Sequence, residues 1–220
     1  MAVNYPAAHL LSLPLELRET IYDYLAEDRP VLHLKDDSGS LHLSAAHTQP
    51  LNLLQAHPLL CEEALSHFHR TQRLTIHVDA FAFAKLGNQN AYRHALQSNR
   101  YVQRSRNIEI RYVMNAHVDF LVEAIKHVVA TLILPTSNAK SVTITWAEVL
   151  NHVFQRTWRP WACKIPALEP LWDLLDHVDV QCGGVVNAPP ATAELQNNGF
   201  TRSFNTILKY KSLSGDKAQV

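Results

Sequence analysis

The stretch "LTIHV", Leu74 to Val78, alternates large apolar residues with Thr75 and His77 and runs directly into "DAFAFAKL", Asp79 to Leu86. Strict alternation over five residues predicts a half-buried strand, and the change of pattern at Asp79 predicts a helix after it. The same succession recurs as "IEIRYV" from Ile108, "VTITW" from Val142 and "VDVQC" from Val178. The spacing is roughly 34 to 36 residues, within the range of structural repeat units. In the second interval, "DFLVEAIKHVVATL" puts Leu121, Ala124, Ile125, Val128 and Leu132 on one helical face. The third holds "AEVLNHVF" and "PALEPLWDLLDHV", where Leu168, Leu171, Trp172 and Leu175 share a face. Strand, helix, strand at this separation favours parallel pairing with right-handed crossovers, because no hairpin can join parallel neighbours. The expected fold class is therefore α/β, mixed α+β, with repeated α-β units forming a small, partly parallel sheet. A solenoid-like stack and a closed α/β sandwich both remain open.

Outside the repeats, "VLHLK" and "SLHLS" alternate on either side of "DDSG", Asp36 to Gly39, and predict a β-hairpin. Beyond Cys182, "GGVVNAPPATAELQNNG" is turn-rich and reads as a loop or linker, after which Phe200, Phe204, Ile207 and Leu208 fit one helical face. The domain expectation is an N-terminal segment over 1–72, an α/β body over 73–182 and a loop-rich tail with a short helix over 183–220. In an α-β stack the segments leaving the strands, here near Asp79, Met114, Ala147 and Gly183, would share one edge. Tyr112 and Trp146 lie close enough to that edge to serve as a possible substrate surface, although alternation could equally turn both into the core.

The N-terminal stretch "LLSLPLELRETIYDYL", Leu10 to Leu25, contains a helix whose start is marked by Pro14. Leu17, Ile21, Tyr24 and Leu25 form an apolar face, while Glu16, Thr20, Asp23 and Glu27 form a wet one. A helix this short is marginal alone in water, so its apolar side needs a partner surface. Periodicity leaves open whether that surface is the chain's own core or another protein.

These residues resemble the opening of the F-box-like domain of a large set of fungal proteins, which begin with Leu-Pro, Glu-Leu-Arg and Ile-Tyr at this spacing. A second motif of that family, Glu-Glu-Ala-Leu followed by aromatics, is similar to Glu62, Glu63, Ala64, Leu65 and Phe68 in "AHPLLCEEALSHFHRTQRLTIHV". The resemblance covers about the first 80 residues. His57-Pro58 stands where the family usually has Cys-Arg, and the hairpin is inserted before the second motif. The resemblance implies a non-enzymatic, intracellular adaptor, cytoplasmic or nuclear. Leu13, Pro14, Leu17, Ile21 and Tyr24 would then grip the linker subunit of a cullin-RING ubiquitin ligase, and the remaining chain would recruit an unknown protein substrate. The alternative is an F-box-like binding module with no ubiquitin role; an enzyme of unknown type is the third and weakest reading.

Composition narrows the chemistry. Twenty basic and twenty acidic residues cancel, so no global field draws the chain to nucleic acid or to an anionic membrane. Arg93, Arg100, Arg104, Arg106 and Arg111, with Tyr92, Tyr101 and Tyr112, form the one basic and aromatic concentration, and nucleic acid is not the expected partner. No charged-then-apolar leader precedes Leu10 and no apolar run reaches about 18 residues, so neither secretion nor membrane spanning is expected. Cys61, Cys163 and Cys182 are too few and too scattered for a disulfide framework or a metal set, and read as reduced, mostly buried thiols. Thirteen histidines demand a metal search, yet His67 and His69 are two apart on a helix, and Asp173, Asp176, His177 and Asp179 lack a second ligand cluster. No phosphate-cradling glycine loop occurs. No cofactor, metal or catalytic set is expected. Trp146, Trp158, Trp161 and Trp172 are expected to fill the core.

Overall fold

The computed structural model describes residues 10–25, 31–34, 41–44, 57–86, 88–113, 118–147, 164–188, 190 and 192–215. Helix α1 (Leu15–Leu25) is followed by strands β1 (Val31–Leu34) and β2 (Leu41–Ser44), then by α2 (Pro58–Thr71) and β3 (Arg73–Asp79). Three helices come next: α3 (Ala80–Ala84), α4 (Gln89–Ser98) and α5 (Arg100–Arg104). Strand β4 (Asn107–Val113), helix α6 (Val118–Leu132) and strand β5 (Ser141–Ala147) continue the alternation. Two 3₁₀ helices, Ile165–Ala167 and Glu169–Asp173, lead to β6 (Asp179–Val186) and α7 (Ala193–Gly215). The class is mixed α/β, as the alternation of patterns predicts.

Among the described residues, six strands form one sheet in the order β2-β1-β3-β4-β5-β6. Only β1 and β2 are antiparallel; β1 lies parallel to β3, and β3 to β6 are parallel in chain order. The residues that open these four strands, Arg73, Asn107, Ser141 and Asp179, stand side by side in register. The repeat read from spacing is thus a physical register, except that Val180 and not Val178 lies beside Val142. Tight pairing at the bulge between β5 and β6 explains the two glycines. A Cβ on Gly183 would sit 2.4 Å from Thr145 Oγ1, and Gly184 has φ +86°. The pair therefore belongs to β6, which runs on to Val186, and the expected loop after Cys182 and the boundary at 183 fall inside a strand.

Alternation sorts the sheet into two faces. Leu74, Ile76, Val78, Ile108, Ile110, Tyr112, Val142, Ile144 and Trp146 point into one core shared with α3, α4, α6, the 3₁₀ segment and α7. On α6 the buried residues include the predicted Leu121, Ala124, Ile125, Val128 and Leu132. The opposite face is polar and centred on buried Glu109, which accepts a hydrogen bond from Arg111 Nη2 at 2.8 Å. Burial raises the Glu109 pKa, but the Arg111 hydrogen bond and positive charge outweigh it and hold the carboxyl below its usual range.

Local chemistry places the helices. Asp79 leaves β3 as the N-cap of α3, its carboxylate accepting from the N–H groups of Phe81 and Ala82, both at 2.9 Å. Asn88 and Asn99 cap α4 and α5 in the same way. The expected α-helix in "PALEPLWDLLDHV" is instead 3₁₀, because Pro166 and Pro170 remove donors from an α-helical ladder. With three residues per turn, Leu168, Leu171 and Leu174 line up and are buried, leaving Trp172 39% exposed. Helix α7 sends Phe200, Phe204 and Ile207 into the core, and Asn197 Oδ1 accepts from Val185 N–H at 2.6 Å on β6. Among the described residues no helix is long and apolar enough to cross a membrane.

Candidate partner-docking site

The carbonyl of Pro14 accepts hydrogen bonds from the N–H groups of Leu17 and Arg18, at 3.1 and 3.2 Å, so the proline opens α1 as its sequence position predicts. A 3₁₀ turn over Leu10–Ser12 precedes it. Helix α2 starts the same way, with His57 as N-cap and Pro58 in the first turn.

The face that α1 turns towards α2 is not the predicted apolar one. Its centre is Tyr22, fully buried against Leu60 and Ala64 with Leu10, Cys61 and Phe68 around them. Polar groups close over this small cluster. Arg18 grips Glu63 with two bonds, Nε to Oε1 at 2.7 Å and Nη2 to Oε2 at 2.9 Å, and the Tyr22 hydroxyl donates to Glu63 Oε1 at 3.1 Å. Asp23 Oδ1 lies 2.7 Å from His67 Nε2, and Arg70 is ion-paired with Glu19. The Arg18 hydrogen bond holds the Glu63 carboxyl below its usual pKa, and the Arg70 hydrogen bond does the same for Glu19. These two carboxylates are therefore charged at neutral pH.

With Arg18, Glu19 and Tyr22 turned towards α2, Glu16 and Thr20 stay exposed as predicted, and part of the predicted apolar face is left outward as well. Leu17 is 52% and Tyr24 75% exposed, Pro14 is exposed, and Leu13 and Ile21 are half-buried. Leu11, Leu15 and Leu59 are exposed as well. Leu15 precedes Arg18 and Leu59 precedes Glu63 by about one helical turn, so both lie at the end of the helix pair that the Arg18–Glu63 bond joins. Sequence reasoning assigned Leu17, Ile21 and Tyr24 to a common stripe but missed the clasp. Its signal was present: Arg18 and Glu19 oppose Glu63 and Arg70 with complementary charge, and Asp23 opposes the His67 ring as a hydrogen-bond partner, at helical spacing.

The other predicted contact residues resolve differently. Tyr112 and Trp146 are 0% and 1% exposed, packed edge to face with centroids 5.9 Å apart, and Trp146 also meets Phe200 and Lys164. They belong to the core and form no substrate surface, because the register that aligns them with Val78 and Val185 turns that whole row towards the helices. The shared strand edge does exist: Asp79, Val113, Ala147 and Val186 end the strands side by side. Gly183 is not among them, and Met114 lies outside the described residues.

The remaining candidates carry no assembled chemistry. Asp173, Asp176, His177 and Asp179 are all exposed, and among the described residues no group of three or more metal-ligating side chains comes together. Cys61 and Cys182 are free and half-buried, less enclosed than expected; Cys163, Trp158 and Trp161 lie outside the described residues. Of the basic and aromatic group, Tyr92 and Tyr112 are buried, Arg111 is engaged by Glu109, and Arg93, Arg100, Arg104 and Arg106 are exposed. No protein-family model, curated protein or solved structure matches this chain.

Proposed function

We propose that the pair of helices α1 and α2 is the docking element of a non-enzymatic, intracellular adaptor. The occupant of its apolar stripe is the linker subunit of a cullin-RING ubiquitin ligase, and the α-β body carries a protein substrate. The observation that supports this reading is the packing of α1, which turns Arg18 and Tyr22 to its own chain and leaves Leu17 and Tyr24 in solvent. Exposed Leu and Tyr in one stripe are costly in water and are productive once an apolar partner covers them, at roughly 1.5–3 kcal/mol for each fully buried side chain. The F-box-like pattern of residues supplies the identity of the partner. A second reading, a binding module with no ubiquitin role, draws on the hairpin β1–β2, which joins the main sheet through β3 and ties this segment to the body.

Titration of the purified protein with the purified linker subunit tests the proposal by calorimetry. Binding on the order of micromolar or tighter is expected. The double variant Leu17→Asp, Tyr24→Asp should lose at least about tenfold in affinity, about 1.4 kcal/mol or more, with an unchanged melting curve, because neither side chain is buried. Wild-type protein that shows no heat of binding at tens of micromolar overturns the ubiquitin reading.

A further inference from the structure

A second surface lies where the parallel strands begin. There the backbone forms a continuous rung of hydrogen bonds across neighbouring segments. Arg106 N–H donates to the His69 carbonyl at 2.9 Å, Lys140 N–H to the Arg106 carbonyl at 2.8 Å, and Asp179 N–H to the Lys140 carbonyl at 3.0 Å. Arg106 and Lys140 each stand one residue before the aligned pair Asn107 and Ser141, so they are immediate neighbours at about the strand spacing of 4.8 Å. Arg104 belongs to the same group, since Asn138 N–H donates to the carbonyl of its neighbour Gln103 at 2.8 Å, laying residues 103–106 beside 138–140. Arg104, Arg106 and Lys140 are exposed, and among the described residues no carboxylate forms an ion pair with any of them. Three exposed cations with no ion-pair partner among the described residues are a local excess in a chain whose formal net charge is zero.

The row is short and its ends are marked. On one side Arg70 is already neutralised by Glu19, and on the other Asp179 follows Lys140 in the same rung. The two ends are therefore about three strand spacings apart, roughly 14 Å, and the positive stretch lies between them. An extended peptide covers that distance with about four residues, whereas duplex nucleic acid carries its charge far past both ends, and would meet repulsion at Asp179 and find Arg70 already paired. Single-stranded nucleic acid would need exposed aromatic rings for stacking; Tyr92 and Tyr112 are buried, and Tyr101 is half-buried with its ring edge to face on His69, centroids 5.2 Å apart.

We propose that the Arg104, Arg106 and Lys140 row is a recognition surface for a short acidic segment of a partner protein. The inference does not rest on the ubiquitin reading, since it uses neither α1 nor its apolar stripe. Binding of a fluorescein-labelled hexaglutamate peptide, followed by fluorescence polarisation at about 50 mM and about 300 mM salt, tests it. Saturable binding at low salt, weakened at least about fivefold at the higher, is expected. The triple variant Arg104→Glu, Arg106→Glu, Lys140→Glu should lose at least about tenfold in affinity, and the matching glutamine variant, which avoids charge reversal, should fall between it and wild type. Arg93→Glu, whose charge is felt at His127 on α6 and not at the row, should change affinity less than about twofold. The proposal is overturned by absence of saturable binding at low salt, or by an equal loss in Arg93→Glu. It is also overturned if a 20-base-pair duplex binds more tightly than the peptide and loses that binding in the triple variant.

Discussion

Acidification should weaken this protein through one ring in particular, His69. The residue is 8% exposed, packed edge to face on Tyr101 with centroids 5.2 Å apart, and its Nδ1 lies 3.5 Å from Ser105 Oγ. Burial first, and the nearby Arg104 charge second, lower its pKa from 6.5 to about 4. A histidine whose folded-state pKa is depressed takes up its proton in the unfolded chain first. Its contribution to stability is thus intact above about pH 6.5 and is lost as pH falls towards about 4. Between about pH 7 and about pH 5 the linkage integral comes to about 2 kcal/mol, and solvent screening at a partly accessible site reduces this to about 1 kcal/mol. That is a sizeable part of the roughly 5–15 kcal/mol that holds a domain together. Urea unfolding of wild type and of His69→Phe, which keeps an aromatic ring against Tyr101 but cannot titrate, measures it. His127 is also held below its ordinary pKa, chiefly by burial, but it is present in both proteins and cancels in the comparison. Wild type should lose about 1 kcal/mol more than the variant over this pH range, a difference of about 0.5 M in urea midpoint. A variant that loses as much as wild type refutes the assignment of this pH sensitivity to His69.

Two further expectations concern the sheet. Gly183→Ala adds a Cβ 2.4 Å from Thr145 Oγ1 and 2.7 Å from Thr143 Cγ2, so thermal unfolding should show a destabilisation of about 1–3 kcal/mol; an unchanged melting temperature would mean that the bulge relaxes freely. The Tyr112 hydroxyl is buried and has no hydrogen-bond partner among the described residues, and burial raises its pKa well above the ordinary value. Tyr112→Phe removes an unsatisfied group without emptying the core and should stabilise the protein by about 1 kcal/mol in chemical unfolding, whereas a loss of stability would reveal a partner for the hydroxyl.

The strands of the body were legible because alternation is a local property. Leu74, Ile108 and Val142 each head the same short pattern, and a strand buried on one side needs nothing more than that to declare itself. The α6 stripe was legible for the same reason at helical period. What sequence could not decide were choices between two locally equivalent outcomes. Tyr112 and Trp146 lie in strands that could have presented either parity to the helices, and the common register with Ile110 and Ile144 settled it for the whole sheet at once. On α1, hydrophobicity alone favours the apolar stripe for the inward side, and the wet stripe keeps Glu16 and Thr20 in solvent as expected. The tertiary structure instead turns a third face inward, because α2, more than thirty residues further on, offers Glu63, His67 and Arg70 in positions that meet Arg18, Asp23 and Glu19, around a pocket that Tyr22 fills. Periodicity can list the faces of a helix; which face is buried depends on the charges and the shape of the surface it meets, and that surface is assembled only when distant parts of the chain come together.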